Sequence, residues 1–188
     1  MKPINIAIFA SGNGSNCENL IRYFQQSALA DCVLVISNKP DAYALVRAER
    51  LNVPTAVISK AQLNNPDEML PLLHKYGIKF IVLAGFLPLI PDYLVDAYPR
   101  QIINLHPALL PSFPGAHGIA DAFRYGVKVF GITIHFVDEG VDTGKIINQF
   151  AFHAEPDDTL ETVETKIHQL EHKYVPMVIN DVLVNSEQ

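Results

Sequence analysis

Three short segments hold residue types that can do chemistry. Asn104-Leu105-His106-Pro107 sets an amide and an imidazole two residues apart, so in an extended backbone both side chains project to the same side. The amide donates hydrogen bonds, and the imidazole exchanges a proton near neutrality. Such a pair can hold a developing oxyanion and shuttle a proton. Asp138-Glu139-Gly140-Val141-Asp142-Thr143-Gly144 concentrates carboxylates and glycines in one loop, and a loop of that kind can turn one carboxylate inward. A carboxylate beside His106 would raise the histidine pKa by favouring the imidazolium, and would also fix the ring's orientation. Ser11-Gly12-Asn13-Gly14-Ser15-Asn16 lies between an apolar run and a helical pattern. Its glycines let the backbone turn tightly, and free N–H groups at a helix start favour an anion.

The glycine-rich segment is neither a P-loop nor a good dinucleotide fingerprint. No Gly-Lys-Ser/Thr follows it, Cys17 occupies the third glycine position, and the second strand runs into Ser37-Asn38-Lys39 without an acid for a ribose diol. A phosphate monoester fits it better than a dinucleotide. Glu171 sits on the shoulder of an apolar helical stripe, where it can meet an amine or simply face water. His106, His117, His135 and His153 are too scattered for a helix-borne zinc motif, and no metal is expected. Taken one at a time, each segment also suits a tight turn, a polar strand end or a solvated acidic hairpin.

The elements that must position these residues alternate. Strands are predicted at Ile4–Phe9, Cys32–Ile36, Thr55–Ile58, Phe80–Ala84 and Gln101–Asn104. Helices lie between them at Asn16–Gln26, from a cap at Asp41 to Arg50, at Asp67–Lys75 and at Asp92–Ala97. Strands that are apolar on both faces argue for a parallel sheet covered by helices on each side. A helix near Ile119–Tyr125 follows. Phe130–Phe136 and Lys145–Phe152 are then close enough in sequence to pair antiparallel. Asp158 with Glu161 reads as a capping box for a last helix. Its stripe is Leu160, Val163, Ile167, Leu170, Tyr174 and Met177, and Pro176 is expected to kink or end it. The expectation is one α/β domain over residues 1–188, three-layered αβα around a seven-stranded, mostly parallel (mixed) sheet.

Composition narrows the partners. The 188 residues carry a net charge of −6 and 18% charged side chains, and no three basic residues stand together, so a nucleic-acid face is not expected. Cys17 and Cys32 form neither a metal spacing nor a disulfide framework. The N-terminus lacks a signal-peptide pattern, and the longest near-apolar stretch, Phe80 to Ile90, is too short to span a bilayer. A cytoplasmic protein that acts on small molecules, without a membrane partner, is the expectation.

In combination the segments resemble a known family. The succession of Ser11-Gly12-Asn13-Gly14-Ser15-Asn16, Val82-Leu83-Ala84-Gly85-Phe86, Ile103-Asn104-Leu105-His106-Pro107-Ala108-Leu109-Leu110-Pro111, Gly131-Ile132-Thr133-Ile134-His135-Phe136-Val137 and Asp142 resembles the folate-dependent formyltransferases. The glycine-rich loop and the chain length select the glycinamide ribonucleotide (GAR) transformylases among them. The resemblance covers essentially the whole chain and implies a Rossmann-like fold. It also implies formyl transfer from 10-formyltetrahydrofolate, as cosubstrate, to the GAR amine, in a monomer or homodimer that needs no metal. It makes Asn104 the oxyanion donor, His106 the general acid/base and Asp142 its partner. It assigns Gly12, Asn13, Gly14, Ser15 and Asn16 to the GAR phosphate and Glu171 to the glycinamide end. Leu87, Pro88, Leu89, Ile90, Asn104 and the loop Asp138, Glu139, Gly140, Val141 and Asp142 would frame the pterin. The N-terminal half, about residues 1–100, would then hold the phosphate, and residues 101–188 the folate and the chemistry.

The chain departs from the family at Leu87-Pro88, where many members have Met-Arg, and at Leu63-Asn64-Asn65-Pro66, which offers no arginine for the folate tail. His117-Gly118-Ile119 keeps one histidine where some members have two, and the C-terminal tail is shorter. Three other readings remain open at this point: another amine acceptor, a hydrolase of the same cosubstrate, and a non-catalytic phospho-ligand module.

Overall fold

The computed structural model describes residues 2–186. In chain order the elements are β1 Ile4–Phe9, α1 Ser15–Phe24, β2 Ala30–Ser37, α2 Tyr43–Arg50, β3 Thr55–Val57, α3 Lys60–Leu63 and α4 Pro66–Lys75. They continue with β4 Phe80–Leu83, α5 Asp92–Ala97, β5 Ile102–His106, α6 Gly118–Tyr125, β6 Val129–Phe136, β7 Ile146–His153 and α7 Leu160–Ser186. The strands form a seven-stranded sheet in the order β3-β2-β1-β4-β5-β6-β7. Pairing is parallel from β3 to β5, then antiparallel for β5 with β6 and β6 with β7. This is the mixed, mostly parallel sheet expected.

The period of two along each strand sorts the core onto two faces. Ile6, Ile8, Val82, Ile103, Leu105, Ile132 and Ile134 pack with Leu20 and Ile21 of α1, Ala44 of α2, Ala122 of α6 and Val163 and Ile167 of α7. Ala7, Phe9, Leu34, Ile36, Ile81, Leu83 and Ile102 pack on the other face with Leu63, Met69, Leu73 and Leu94 of α3, α4 and α5. Strands buried on both sides are continuous apolar runs for this reason.

Local expectations fail where a tertiary partner takes over a local role. Asp41 does not cap α2. Ala42 holds that position without a side-chain bond, and the Ala44 amide donates to Gly12 O at 3.1 Å, so the glycine-rich loop performs part of the cap. The box at the start of α7 is built from Thr159 and Thr162, each amide donating to the other's hydroxyl at 2.9 and 3.3 Å. Asp158 instead holds Lys166 at 2.6 Å, and Glu161 is not part of the box. The single turn α3 was not expected, although Ser59 and Gln62 spell its capping box.

Pro176 neither ends α7 nor stands outside it: the helix runs to Ser186. Proline lacks the N–H that would bond the carbonyl four residues back, and that carbonyl, His172 O, accepts from Asn19 Nδ2 of α1 at 2.8 Å. The apolar stripe also shifts. Met177 is 49% exposed, and Val175, Val178, Ile179 and Leu183 carry the buried side onward.

β5 runs two residues beyond the expected end, because β6 pairs with it as far as His106 opposite Thr133. Thr133 is fully buried and ties three segments together. Its hydroxyl donates to Ala108 O at 2.7 Å and accepts from Leu110 N at 3.0 Å and Gln149 Nε2 at 2.9 Å. Thr133→Val keeps the shape but leaves buried groups without partners. It should cost about 1–3 kcal/mol of stability, read as a lower denaturant midpoint at unchanged slope; an unchanged midpoint would refute this account of the loop.

Candidate active site

The cross-strand register collects polar side chains at one end of the sheet. Asn104 lies directly opposite His135, and His106 opposite Thr133. Directly opposed residues share a face, as do residues two apart on a strand. Asn104, His106, Thr133 and His135 therefore stand on one face, while Ile103, Leu105 and Ile134 enter the core on the other. The face lies at the carboxyl end of β5, where open α/β sheets collect ligands.

Asp142 enters from the β6–β7 connection with a left-handed backbone, φ 55°. Its Oδ1 accepts from Asn104 Nδ2 at 3.1 Å, and its Oδ2 accepts from Gly115 N at 2.7 Å and lies 3.3 Å from His106 Nδ1. The other ring nitrogen, His106 Nε2, is 2.8 Å from Phe113 O. A carbonyl only accepts, so Nε2 carries a proton. The expectation of a raised His106 pKa is not met. Burial pushes it below the ordinary histidine value, and the Asp142 charge and the Phe113 carbonyl offset only part of that. The ring is thus neutral near pH 7, yet both nitrogens face oxygen acceptors, so a captured proton has a partner waiting.

Asn104 Nδ2 has a second contact, His135 Nε2 at 3.1 Å. Its two hydrogens are thereby both engaged.

A cleft of about 290 Å³ opens beside this cluster. Leu87, Pro88, Leu89, Ile90, Asn104, Gly140, Val141 and Asp142 line it together with His106 and His135. Asp138 and Glu139, expected there, do not. The Asp138 carboxylate accepts from Gly140 N at 3.1 Å and Thr143 Oγ1 at 2.6 Å and so braces the loop from within, and Glu139 is exposed. Gly144 lets the loop return against β6, since a Cβ there would lie 1.7 Å from Phe136 O.

The glycine-rich turn lies at the start of α1. Gly14 caps that helix with φ 77°, and a Cβ on it would lie 2.5 Å from Ala44 of α2. Only glycine meets both conditions. The first amides of α1 have no helical acceptor and are open to an anion. Arg47 braces the turn through Asn13, with Nε 2.9 Å from Asn13 O and a terminal nitrogen 2.9 Å from Asn13 Oδ1, and it also pairs with Glu18. Gly12 and Ser15 belong to the same turn.

Glu171 is buried rather than solvated, at 3% exposure. Its Oε2 accepts from Asn16 Nδ2 at 2.8 Å and pairs with His168 Nδ1 at 2.8 Å, which raises the His168 pKa. Asn16 Oδ1 is buried and has no partner among the described residues, so a ligand donor would satisfy it. Ser11 joins the two halves of the site. Its N–H donates to Gly85 O at 2.9 Å, its hydroxyl donates to Asn38 Oδ1 at 2.6 Å, and the same hydroxyl accepts from Leu87 N at 3.0 Å.

The structure therefore brings together Asn104, His106 and Asp142 as one group, Gly12 to Asn16 with Glu171 as another, and Leu87 to Ile90 with Gly140 to Asp142 as lining of the cleft beside the first. Sequence reasoning missed the roles of Thr133, His135, His168, the Phe113 carbonyl and the Gly115 amide. One signal was available: Thr133-x-His135 in β6 repeats the spacing of Asn104-x-His106 in β5. No helix among the described residues is long and apolar enough to cross a membrane, and no group of three His, Cys, Asp or Glu is arranged to hold a metal ion.

A family model described as formyl transferase matches residues 4–179. The chain is 44% identical over 182 residues to the phosphoribosylglycinamide formyltransferase of Bacillus subtilis, covering 94% of this chain and 93% of that one. It is 40% identical over 187 residues to the trifunctional purine biosynthetic protein adenosine-3 of Drosophila melanogaster, covering 96% of this chain but 14% of that longer one. The crystal structure of the Bacillus halodurans phosphoribosylglycinamide formyltransferase superposes with a TM-score of 0.88 at 40% identity, covering 95% of each chain. Glycinamide ribonucleotide transformylase 1 of Symbiobacterium toebii does so with a TM-score of 0.91 at 33% identity, covering 98% of this chain and 89% of that one.

The electrostatics of the cluster can be tested directly. In the wild-type protein the His106 ring should titrate below about 6.5, the ordinary histidine value. Asp142→Asn removes the largest influence that holds the value up, so it should lower the pKa further. Histidine-detected NMR titration reads both, and a rise in the variant would contradict the assigned geometry.

Proposed function

The chain belongs to the formyl transferase family, and on that premise we propose that it transfers the formyl group of 10-formyltetrahydrofolate to the amine of glycinamide ribonucleotide. The products are formyl-GAR and tetrahydrofolate, a step of purine biosynthesis. The observation that carries this reading is a direct connection. Ser11, one residue before the anion-binding turn, holds the Leu87 amide at the edge of the cleft that contains Asn104, His106 and Asp142. A phosphate ester on the turn and a flat heterocycle in the cleft would meet at that cluster.

The residues divide the work. The amides of Gly12 to Asn16 hold the GAR phosphate without a lysine. Glu171 and the unpartnered Asn16 Oδ1 accept from donor groups further along GAR. Leu87 to Ile90 and Gly140 to Asp142 enclose the pterin, while Asp138 shapes that loop from outside the cleft. The N-terminal half of this single unit supplies the phosphate turn, and the C-terminal half supplies the catalytic groups together with Glu171.

The transfer balances as an acyl exchange. The GAR nitrogen bonds to the formyl carbon, whose oxygen takes up negative charge, and Asn104 Nδ2 donates to that oxygen. Neutral His106 accepts the proton released by the attacking nitrogen. The resulting imidazolium is stabilised by the Asp142 carboxylate and the Phe113 carbonyl. Collapse breaks the bond from the formyl carbon to the folate N10, and the proton passes to that nitrogen.

The test is a spectroscopic assay of folate deformylation with and without GAR. GAR-dependent turnover is the expected result. Turnover without GAR would identify a hydrolase instead, and binding without turnover would send the search to other amines. His106→Ala should cut kcat by about 10²–10⁴, and Asn104→Ala by about 10²–10³, with native circular dichroism retained. Because the base must be neutral, kcat/KM should fall as pH drops through a pKa below about 6.5. An acid limb well above that value would contradict the assignment of His106.

A further inference from the structure

We infer that His135 is a positioning residue for Asn104, the resting acceptor of the hydrogen that Asn104 later gives to the oxyanion. The inference rests on the reading of Asn104 as oxyanion donor. His135 is buried to 2% exposure and takes no part in the mechanism above. Its Nδ1 lies 2.8 Å from the carbonyl of the next residue, Phe136. That carbonyl only accepts, so Nδ1 carries a proton, and Nε2, which faces an amide nitrogen and stands 3.5 Å from Asp142 Oδ1, is assigned as the acceptor of the pair. Nε2 in turn faces Asn104 Nδ2 at 3.1 Å.

The two ends of an asparagine amide are nearly the same size, so packing alone does not decide which end faces the site. Donors and acceptors decide it. Asp142 Oδ1 at 3.1 Å and His135 Nε2 at 3.1 Å are both acceptors and both meet Nδ2. A flipped amide would set its own oxygen against a carboxylate and a lone pair. Asp142 is also held by the Gly115 amide, and the bond it takes from Asn104 is charge-assisted and the stronger of the two. The neutral contact to His135 is the one that yields. The hydrogen it frees already points from a correctly oriented amide, so the oxyanion gains a donor without a side-chain rotation. The direct pairing of Asn104 with His135 across β5 and β6 fixes the spacing that this requires.

The distinction between an acceptor at Nε2 and mere bulk is testable with two conservative variants. Glutamine can place an oxygen near the Nε2 position, whereas asparagine stops near Nδ1. His135→Asn should lower kcat about tenfold, with the KM of each substrate within about twofold, and His135→Gln should restore most of the loss. In an Asn104→Ala background, His135→Asn should have no further effect. Equal kcat values for wild type and His135→Asn, or an undiminished loss in the Asn104→Ala background, would overturn the inference while leaving the formyl-transfer reading intact. An Asn104→Ala enzyme of normal kcat would overturn the reading itself, and the inference with it. Nitrogen-15 NMR of the wild-type imidazoles needs no variant to fold. A protonated Nδ1 and bare Nε2 at His135 support the assignment, and the opposite tautomer removes it.

Discussion

The site depends on one carboxylate that is shared three ways. Asp142 accepts from the Asn104 amide and the Gly115 backbone and faces His106 Nδ1 at 3.3 Å, and these groups belong to the end of β5, to the proline-rich loop after it and, through Asp142 itself, to the β6–β7 loop. A half-buried carboxylate is costly unless its lone pairs are filled. Each of these segments is therefore held to the others by the need to keep that charge bonded. The left-handed backbone at Asp142 and the small residues beside it serve the same end.

The sheet prepares the place where this happens. Five strands run parallel, and the sixth reverses. The antiparallel β5–β6 pair sets Asn104 directly across from His135 and His106 directly across from Thr133. That is how two short polar patterns, far apart in sequence, become one face of four side chains. The reverse faces of the same strands remain apolar, so the polar group is backed by core rather than by solvent.

Much of this was legible before any coordinates. The succession of elements along the chain, the mixed sheet and the grouping of Asn104, His106 and Asp142 follow from local patterns or from the family resemblance, and the geometry agrees with them. What was not legible depends on distance in space. Asp41 fails as a cap because the Gly12 carbonyl reaches α2 first. The His106 pKa moves opposite to expectation because burial outweighs one charge, and burial is a property of the packed fold. Glu171 looked like a surface residue because a helical stripe reveals its own shoulder but not the helix that covers it. Asp138 and Glu139 sit in the right loop, yet a loop's sequence does not say which of its carboxylates turns inward.

The proline in α7 has a wider effect than its own helix. Ridges and grooves repeat along a helix, so apolar packing alone marks the axial offset of a helix pair less sharply than a single polar contact does. Pro176 leaves one carbonyl in the middle of α7 without a helical partner, and Asn19 of α1 is bonded to it. That bond works as an index mark: it selects one axial offset between the first helix and the last. Glu171, beside the marked carbonyl, is then aligned with Asn16, one turn before Asn19. A residue that reads as a helix breaker thus acts as the gauge by which the chain's two ends are set to a common scale.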